Sequence, residues 1–428
     1  MPIVLNAKDV PLLFHPTMNV YIQGNVSEPK AVIQALKENP NTSNGVNYIA
    51  TIFPGLNRTD FARLHDHASM TCFFMSKDFQ ESFSKGRVQF IPLHLNEIYT
   101  YLESTAEVDL AVIQVSSPDR WGYCSLGVSA DFVPAILHKA KKIVAEVNLQ
   151  MPRTSGEAPI HVSNIDYIVQ VDYPLPEMPT GKLSADMEKI GDYASSLISN
   201  GDTLQFGIGS VPDAILSALR EKKDLGIHSG MISDAVIDLV ESGSVNGSKK
   251  SIDRGKIVTG IAVGTKRLYD FSNNNPLLEF RPVNYTHSLE VLKEIDNLIS
   301  INSAIEIDLY GQVNAETMNG VQFGGTGGQG NFIRGATLSR GGKSIIAFLS
   351  TAGNGNISRI KPMLGPGTVI TTPRTDVQYI ITENGIADLK NKSLQQRAEA
   401  LISVAAPQFR EELQEAWHRE IEKWQGIG

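Results

Sequence analysis

The sequence predicts an α/β protein built as two similar domains, each a mainly parallel sheet covered by helices. Three observations carry that reading. Two segments about half a chain apart repeat: GNVSEPKAVIQAL at 24–36 and GIGSVPDAILSAL at 207–219. Aligned without a gap, they share Gly24/Gly207, Ser27/Ser210, Pro29/Pro212, Ala31/Ala214, Ala35/Ala218 and Leu36/Leu219. Fainter echoes pair KKIVAEV (141–147) with KSIIAFL (343–349) and IDYIVQ (165–170) with VQYIIT (377–382). A period this long marks a duplicated domain rather than a solenoid of short units. The apolar runs LAVIQV (110–115), IIAFL (345–349) and YIIT (379–382) have the pattern of strands buried on both faces, as parallel sheets under helices require. Finally, 428 residues suffice for two or three domains at about 100–200 residues each.

Each repeat copy has the same local grammar. In the second, TLQF (203–206) reads as a short strand and GIGS as a glycine turn. Ser210 is placed to cap a helix whose first turn holds Pro212, a residue with no N–H to lose there. Ala214, Ile215, Ala218 and Leu219 then fall on one helical face. Ahead of this strand, Met187, Ile190, Ala194, Leu197 and Ile198 mark another helix, stopped near Gly201. The segment VDYPLPEMPTGKLS (171–184) has three prolines and no apolar period, so it is the expected linker between domains at 1–175 and 185–428. The C-terminal QFREELQEAWHREIEKW reads as a charged surface helix packing through Leu413 and Trp417.

Composition narrows the function. Apolar residues make up 42% and charged residues 20%, a globular profile that excludes disordered, collagenous and disulfide-stapled chains. A net charge of −8 and a pI near 5.7 offer no basic stripe for nucleic acid. With two cysteines, Cys72 and Cys124, a disulfide framework is not expected. No apolar run nears the ~18 residues of a membrane span, and MPIVLNAKDVPLL has neither signal- nor transit-peptide character. A cytoplasmic protein without nucleic-acid or membrane partners is expected.

Metal chemistry has little support: the nine histidines are scattered, and the one close pair, His65 and His67, lacks an accompanying ligand set. GxSxG and Walker A motifs are absent, as is a GxGxxG with its downstream acid. Two glycine loops remain, FGIGSVP (206–212) and QFGGTGGQGNF (322–332). The first is a strand-to-helix turn whose free N–H groups and helix dipole suit a phosphate or a developing oxyanion. Glycines in the second allow close backbone approach to a ligand. Two such loops point to a ligand with a phosphate-bearing or oxyanion-forming part, and a plain structural turn explains either loop about as well.

Longer stretches resemble the acetyl-CoA hydrolase/transferase family, most closely its 4-hydroxybutyrate and butyrate/acetate CoA-transferases. They are LQFGIGSVPDAILSAL (204–219), LGIHSGMISDAVIDL (225–239), GTKRLYDFSNNNP (264–276), SAIEIDLYGQVNAE (303–316), GGTGGQGNFIRGA (324–336) and YIITENGIADLKNKSLQQRAEALI (379–402). The first half adds VSSPDRWGYCSLGVSADF (115–132) and IVAEVNLQMP (143–152). The resemblance implies a two-domain CoA-transferase-like fold and a homodimer or larger homo-oligomer. It further implies coenzyme A or acyl-CoA as substrate rather than a resident cofactor, with a short-chain carboxylate as acceptor. The binding set it implies is Gly207, Ile208, Gly209, Ser210, Val211, Asn302, Gly325 and Gly328, with N–H groups of Ile208 or Gly209 and of Gly325 as oxyanion donors. By the repeat, the segment around Gly24 and Ser27 is expected to face the same cleft.

In similar sequences a glutamate attacks the thioester from an HSE-M-I-S-D motif, giving a mixed anhydride and then a glutamyl-CoA thioester. Here the motif is His228-Ser229-Gly230-Met231-Ile232-Ser233-Asp234, and the nucleophile's slot holds Gly230, without a side chain. Three readings stay open. CoA exchange continues through another carboxylate, Glu383 of TENG being the candidate. Alternatively, the vacated slot admits water and the acyl-CoA is hydrolysed, with His228 or Glu383 as base. In the third, the chain binds acyl-CoA without turnover.

Overall fold

The computed structural model describes residues 2–156 and 159–425. Among the described residues, sixteen strands form two eight-stranded sheets. The first sheet contains β1 (Ile3–Val4), β2 (Asn19–Ile22), β3 (Asn47–Ala50), β4 (Ser69–Cys72), β5 (Val88–Phe90), β6 (Leu110–Ser116), β7 (Lys142–Asn148) and β8 (Tyr167–Val171). The second contains β9 (Thr203–Phe206), β10 (Gly226–His228), β11 (Ile257–Thr259), β12 (Leu278–Phe280), β13 (Leu298–Asn302), β14 (Lys343–Ala347), β15 (Tyr379–Thr382) and β16 (Gly385–Asp388).

The sheet orders are β1-β8-β7-β6-β2-β3-β4-β5 and β12-β11-β10-β9-β13-β14-β15-β16. Read from opposite ends, these are one topology used twice, with β2 matching β9, β6 matching β13, β7 matching β14 and β8 matching β15. The sequence echoes at 141–147/343–349 and 165–170/377–382 fall on matched strands. Every pairing is parallel except that of β16, which returns antiparallel on β15 through Gly385. The run 110–115, predicted as a buried strand, lies in β6 (Leu110–Ser116), which is buried at all seven positions.

Edge strand β1 apart, in each half the chain runs from a central strand outward in one direction, then returns to its other side. The strand order therefore reverses between β2 and β6 and again between β9 and β13. Such reversals open a crevice at the carboxyl ends of the strands, where α/β proteins bind ligands. One hydrophobic core joins the halves, running from Tyr21 and Ile49 to Leu204 and Ile301. Backbone bonds also cross between them, from Met75 N to Gly324 O (3.0 Å) and from Leu95 N to Gly327 O (3.2 Å).

Two local readings need adjustment. The helix after β9 runs Ser210–Ser217, and its cap is Gly209 at φ 117°, so Ser210 is the first helical residue and makes no capping bond. Glycine at that φ turns the chain directly from strand into helix, which leaves the serine no capping role. Ala218 and Leu219 lie just past the helix end, with Leu219 still fully buried. The expected linker segment touches both halves, Tyr173 Oη donating to Glu146 Oε2 and Thr180 Oγ1 donating to Asp213 Oδ2 at 2.8 Å. At the C-terminus, helix Arg410–Gln425 buries Leu413 and Trp417 against Ala398 and Leu401.

Candidate active site

Both strand-order reversals contribute to one cavity of about 360 Å³. From the first half come Asn25 after β2, Thr51 and Ile52 after β3, and Asp131. From the second come Gln205, Phe206 and Gly207 at the end of β9, Gly230 after β10, and Asn302 at the end of β13. The second glycine loop adds Gly324, Gly325, Gly327 and Gly328. The cavity thus gathers Gly207, Gly230, Asn302, Gly325 and Gly328 of the predicted set. Ile208, Gly209, Ser210 and Val211 continue outward from Gly207 and do not line it. Among the described residues, none accepts a hydrogen bond from the N–H of Ile208, Gly209 or Gly325, so these donors are free for a ligand oxygen.

Gly230 borders the cavity on one side and a side chain on the other. A Cβ on it would lie 2.6 Å from Cε1 and 2.8 Å from Nε2 of His287. The same ring would meet a Cβ on Gly328 at 2.5 Å from Nε2. His287 thus sits between two glycines whose missing side chains make room for it. His287 ends the short helix Val283–Thr286, its N–H bonded to Val283 O at 2.9 Å. Its ring packs on Phe332 with centroids 4.5 Å apart and contacts Thr286 Oγ1 through Nδ1 at 2.8 Å. Burial lowers its pKa to about 3, so the ring is neutral at ordinary pH.

Asp131 supplies a carboxylate to the cavity wall. Its Oδ1 accepts from the Phe132 N–H at 2.7 Å, and its Oδ2 accepts from Asn25 Nδ2. Burial raises its pKa to about 7, with the Phe132 N–H working in the opposite direction. Asn25, at φ 58°, is held in turn by Asn57, whose Oδ1 accepts from the Asn25 N–H at 2.8 Å. So the first-half repeat faces the cleft through Asn25. Gly24 instead abuts the Thr51 carbonyl, and Ser27 is fully buried. On the opposite wall Gln205 Oε1 accepts from Ser300 Oγ at 2.8 Å, and Asn302 Nδ2 donates to Ser300 Oγ at 2.8 Å.

The two other proposed catalytic groups stand away from the cavity. His228 is fully buried, with Nε2 3.2 Å from Thr286 O and Nδ1 3.8 Å from Asp253 Oδ2. Burial lowers its pKa to about 3. Glu383 accepts from the Ser350 N–H at 2.8 Å and from Ser350 Oγ. It follows β15, four strands from β10 in the sheet, and does not line the cavity.

Glycines of the second loop serve packing more than unusual backbone. Only Gly327 has positive φ, +62°. Gly325 lies against the Phe73 carbonyl and the Phe74 ring, and Gly330 against His94, so these glycines let the first half close over the loop. His65 is half-buried and His67 exposed, and among the described residues no group of three or more His, Cys, Asp or Glu could hold a metal ion.

His287, Asp131 and Asn25 are the site residues that sequence reasoning missed. The repeat pointed to the loop of Asn25 without singling it out. Asp131 lies inside the quoted stretch at 115–132 but carries no motif of its own. His287 had no sequence signal, being one of nine scattered histidines.

An α/β pair of duplicated sheets with a shared cavity at both reversals has known counterparts. Residues 4–179 match the N-terminal domain of acetyl-CoA hydrolase/transferase and residues 264–417 its C-terminal domain. The 4-hydroxybutyrate coenzyme A transferase of Clostridium kluyveri is 46% identical over 390 residues, 91% of either chain. Butyryl-CoA:acetate CoA-transferase of Anaerostipes caccae is 40% identical over 359 residues, 81% of this chain and 80% of that one. The crystal structure of RipA from Yersinia pestis superposes with a TM-score of 0.91 at 31% identity, covering 97% of each chain. By sequence over both halves and by fold, the chain belongs to the acetyl-CoA hydrolase/transferase family.

Proposed function

We propose that the cavity takes the acyl end of a short-chain acyl-CoA and that the chain passes the acyl group to water, releasing CoA and a carboxylic acid. The observation that carries this reading is the imidazole of His287 beside Gly230, a position with no side chain of its own to form an acyl-enzyme. The thioester carbonyl would lie near Gly230, its oxygen toward the free N–H groups of Gly325 and of Ile208 or Gly209. Donors preorganised in a site shielded from water stabilise a developing oxyanion strongly. The apolar wall of Ile52, Phe53, Pro54 and Phe74 suits a short acyl chain such as acetyl, butyryl or 4-hydroxybutyryl. Coenzyme A enters as substrate, its pantetheine running outward past Ser210, Val211 and the second glycine loop.

One observation favours a second reading, CoA exchange between short-chain carboxylic acids. Asp131 lines the same cavity and is a carboxylate able to form a mixed anhydride. The deciding experiment supplies butyryl-CoA with and without free acetate and follows thiol release and acyl exchange separately. Thiol release without an acceptor supports hydrolysis. Exchange with a borohydride-trapped adduct at Asp131 supports the second reading. Binding of CoA with neither reaction marks a non-catalytic acyl-CoA-binding protein.

In the cell we place the protein in the cytoplasm as a homo-oligomer. Cys72 and Cys124 are both free and buried, which suits a reducing compartment. Among the described residues no helix is long and apolar enough to cross a membrane. Met318, Val321, Phe323 and Ile370 expose apolar surface that a second copy would cover, and sedimentation of the purified protein tests this.

A further inference from the structure

We infer that His287 is the catalytic base of thioester hydrolysis, acting through an Nε2 lone pair that faces the cavity beside Gly230. The inference rests on the hydrolytic reading above and assigns the group that reading lacks. His287 lines the cavity, whereas His228 and Glu383 do not. Both flanking positions, Gly230 and Gly328, are glycines that leave room for this ring and for little else.

One tautomer of His287 serves this role. In it the Thr286 hydroxyl donates to the Pro282 carbonyl at 3.3 Å and accepts from Nδ1–H at 2.8 Å, so that Nδ1 carries the ring proton. Nε2 is left with its lone pair, and which nitrogen is protonated follows from the bond the other makes. Burial among Phe332, Gly230 and Gly328 keeps the ring uncharged and the pair available.

The step balances without any further reagent. Nε2 takes a proton from a water as that water's oxygen forms a bond to the thioester carbonyl carbon. The carbonyl π pair moves onto oxygen, which the free N–H groups hold. When that pair returns, the C–S bond breaks and its electrons leave with sulfur as thiolate. The thiolate takes the proton from Nε2, giving CoA thiol, a carboxylic acid and the neutral ring. Proton uptake by a desolvated imidazole is the uphill part of the step, offset as the free N–H groups hold the oxyanion, and return of the proton to sulfur is downhill.

The test uses full-length wild type, His287→Gln and His287→Ala with butyryl-CoA, following thiol release, and with the thioether S-butyl-CoA, following affinity. The expected result is S-butyl-CoA affinity within about threefold of wild type and a kcat lower by roughly a hundredfold or more, the scale of general-base catalysis. A solvent deuterium isotope effect on wild-type kcat should disappear in both variants, which a merely structural role would not produce. Wild-type rates in both variants would overturn the role of His287 and leave hydrolysis standing. Acyl exchange by wild type without thiol release would overturn the hydrolytic reading and this role together. Should the variants unfold, nitrogen-15 spectra of the wild type decide: a proton-free Nε2 on His287 supports the assignment, and a protonated one overturns it.

Discussion

The imidazole of His287 stands where the side chain of any residue other than glycine at position 230 would begin, 2.6 Å from the Cβ that such a residue would carry. The ring is 2% exposed and packed on Phe332, so it cannot swing aside without opening a hole in the wall. Gly230 and His287 therefore act as one unit, and changing either alters what the other can be.

Reinstalling a carboxylate by Gly230→Glu alone is expected to destabilise the protein by about 1–3 kcal/mol, the usual cost of overpacking a filled interior. It should form no borohydride-trapped glutamyl adduct in the 225–239 peptide. With His287→Ala added, the space opens, and both the adduct and acyl exchange should appear. Peptide mass spectrometry after incubation with butyryl-CoA reads the outcome. An adduct in the single variant would show that the ring yields easily.

Gly209→Val should weaken CoA binding about tenfold or more, measured calorimetrically. The residue sits at φ 117°, a conformation a β-branched side chain avoids, although open space surrounds the position. The strain would rotate the N–H groups of Ile208 and Gly209 away from the ligand. Wild-type affinity would place CoA elsewhere.

Glu383→Gln is expected to lower stability by roughly 1–3 kcal/mol, since it weakens the anchor on the Ser350 N–H and hydroxyl. Thiol release per folded molecule should be unchanged, because Glu383 does not line the cavity. Denaturant melts and a butyryl-CoA assay on the same sample separate the two effects. A lost rate with intact stability would return this carboxylate to the mechanism.

Asp131 gives a pH prediction. Burial raises its pKa from 3.8 to about 7, so between those values the folded state holds a proton that the unfolded chain lacks. Its contribution to stability is full below pH ~4 and is lost as pH rises through about 7. Asp131→Asn cannot ionise, so it should melt near wild type at pH 5 and above it at pH 8. The comparison isolates this group from Glu28 and Glu146, which burial also raises to about 7. A variant that melts below wild type at pH 8 would show the ionised carboxylate to be stabilised in place.

Much of the architecture was written locally in the sequence. Duplication was visible because matched strands such as Lys142–Asn148 and Lys343–Ala347 keep similar apolar runs, and burial on both faces leaves little freedom in those residues. Gly207, Gly230, Asn302, Gly325 and Gly328 were legible because each lies within or beside a continuous stretch of characteristic residues. The cap of helix Ser210–Ser217 was misplaced by one residue, since only the backbone reveals that Gly209, at positive φ, makes the turn.

Tertiary structure alone decided what stands beside Gly230. His287 comes from a helix after β12, and Asp131 and Asn25 come from the other half of the chain. Nothing in their own neighbourhoods marks them, because each gains its role from what surrounds it across the cleft. From the sequence, the slot that the resemblance assigns to a glutamate reads as empty space at Gly230. In a close-packed interior such space is filled, and which residue fills it depends on how the strand order folds distant loops together.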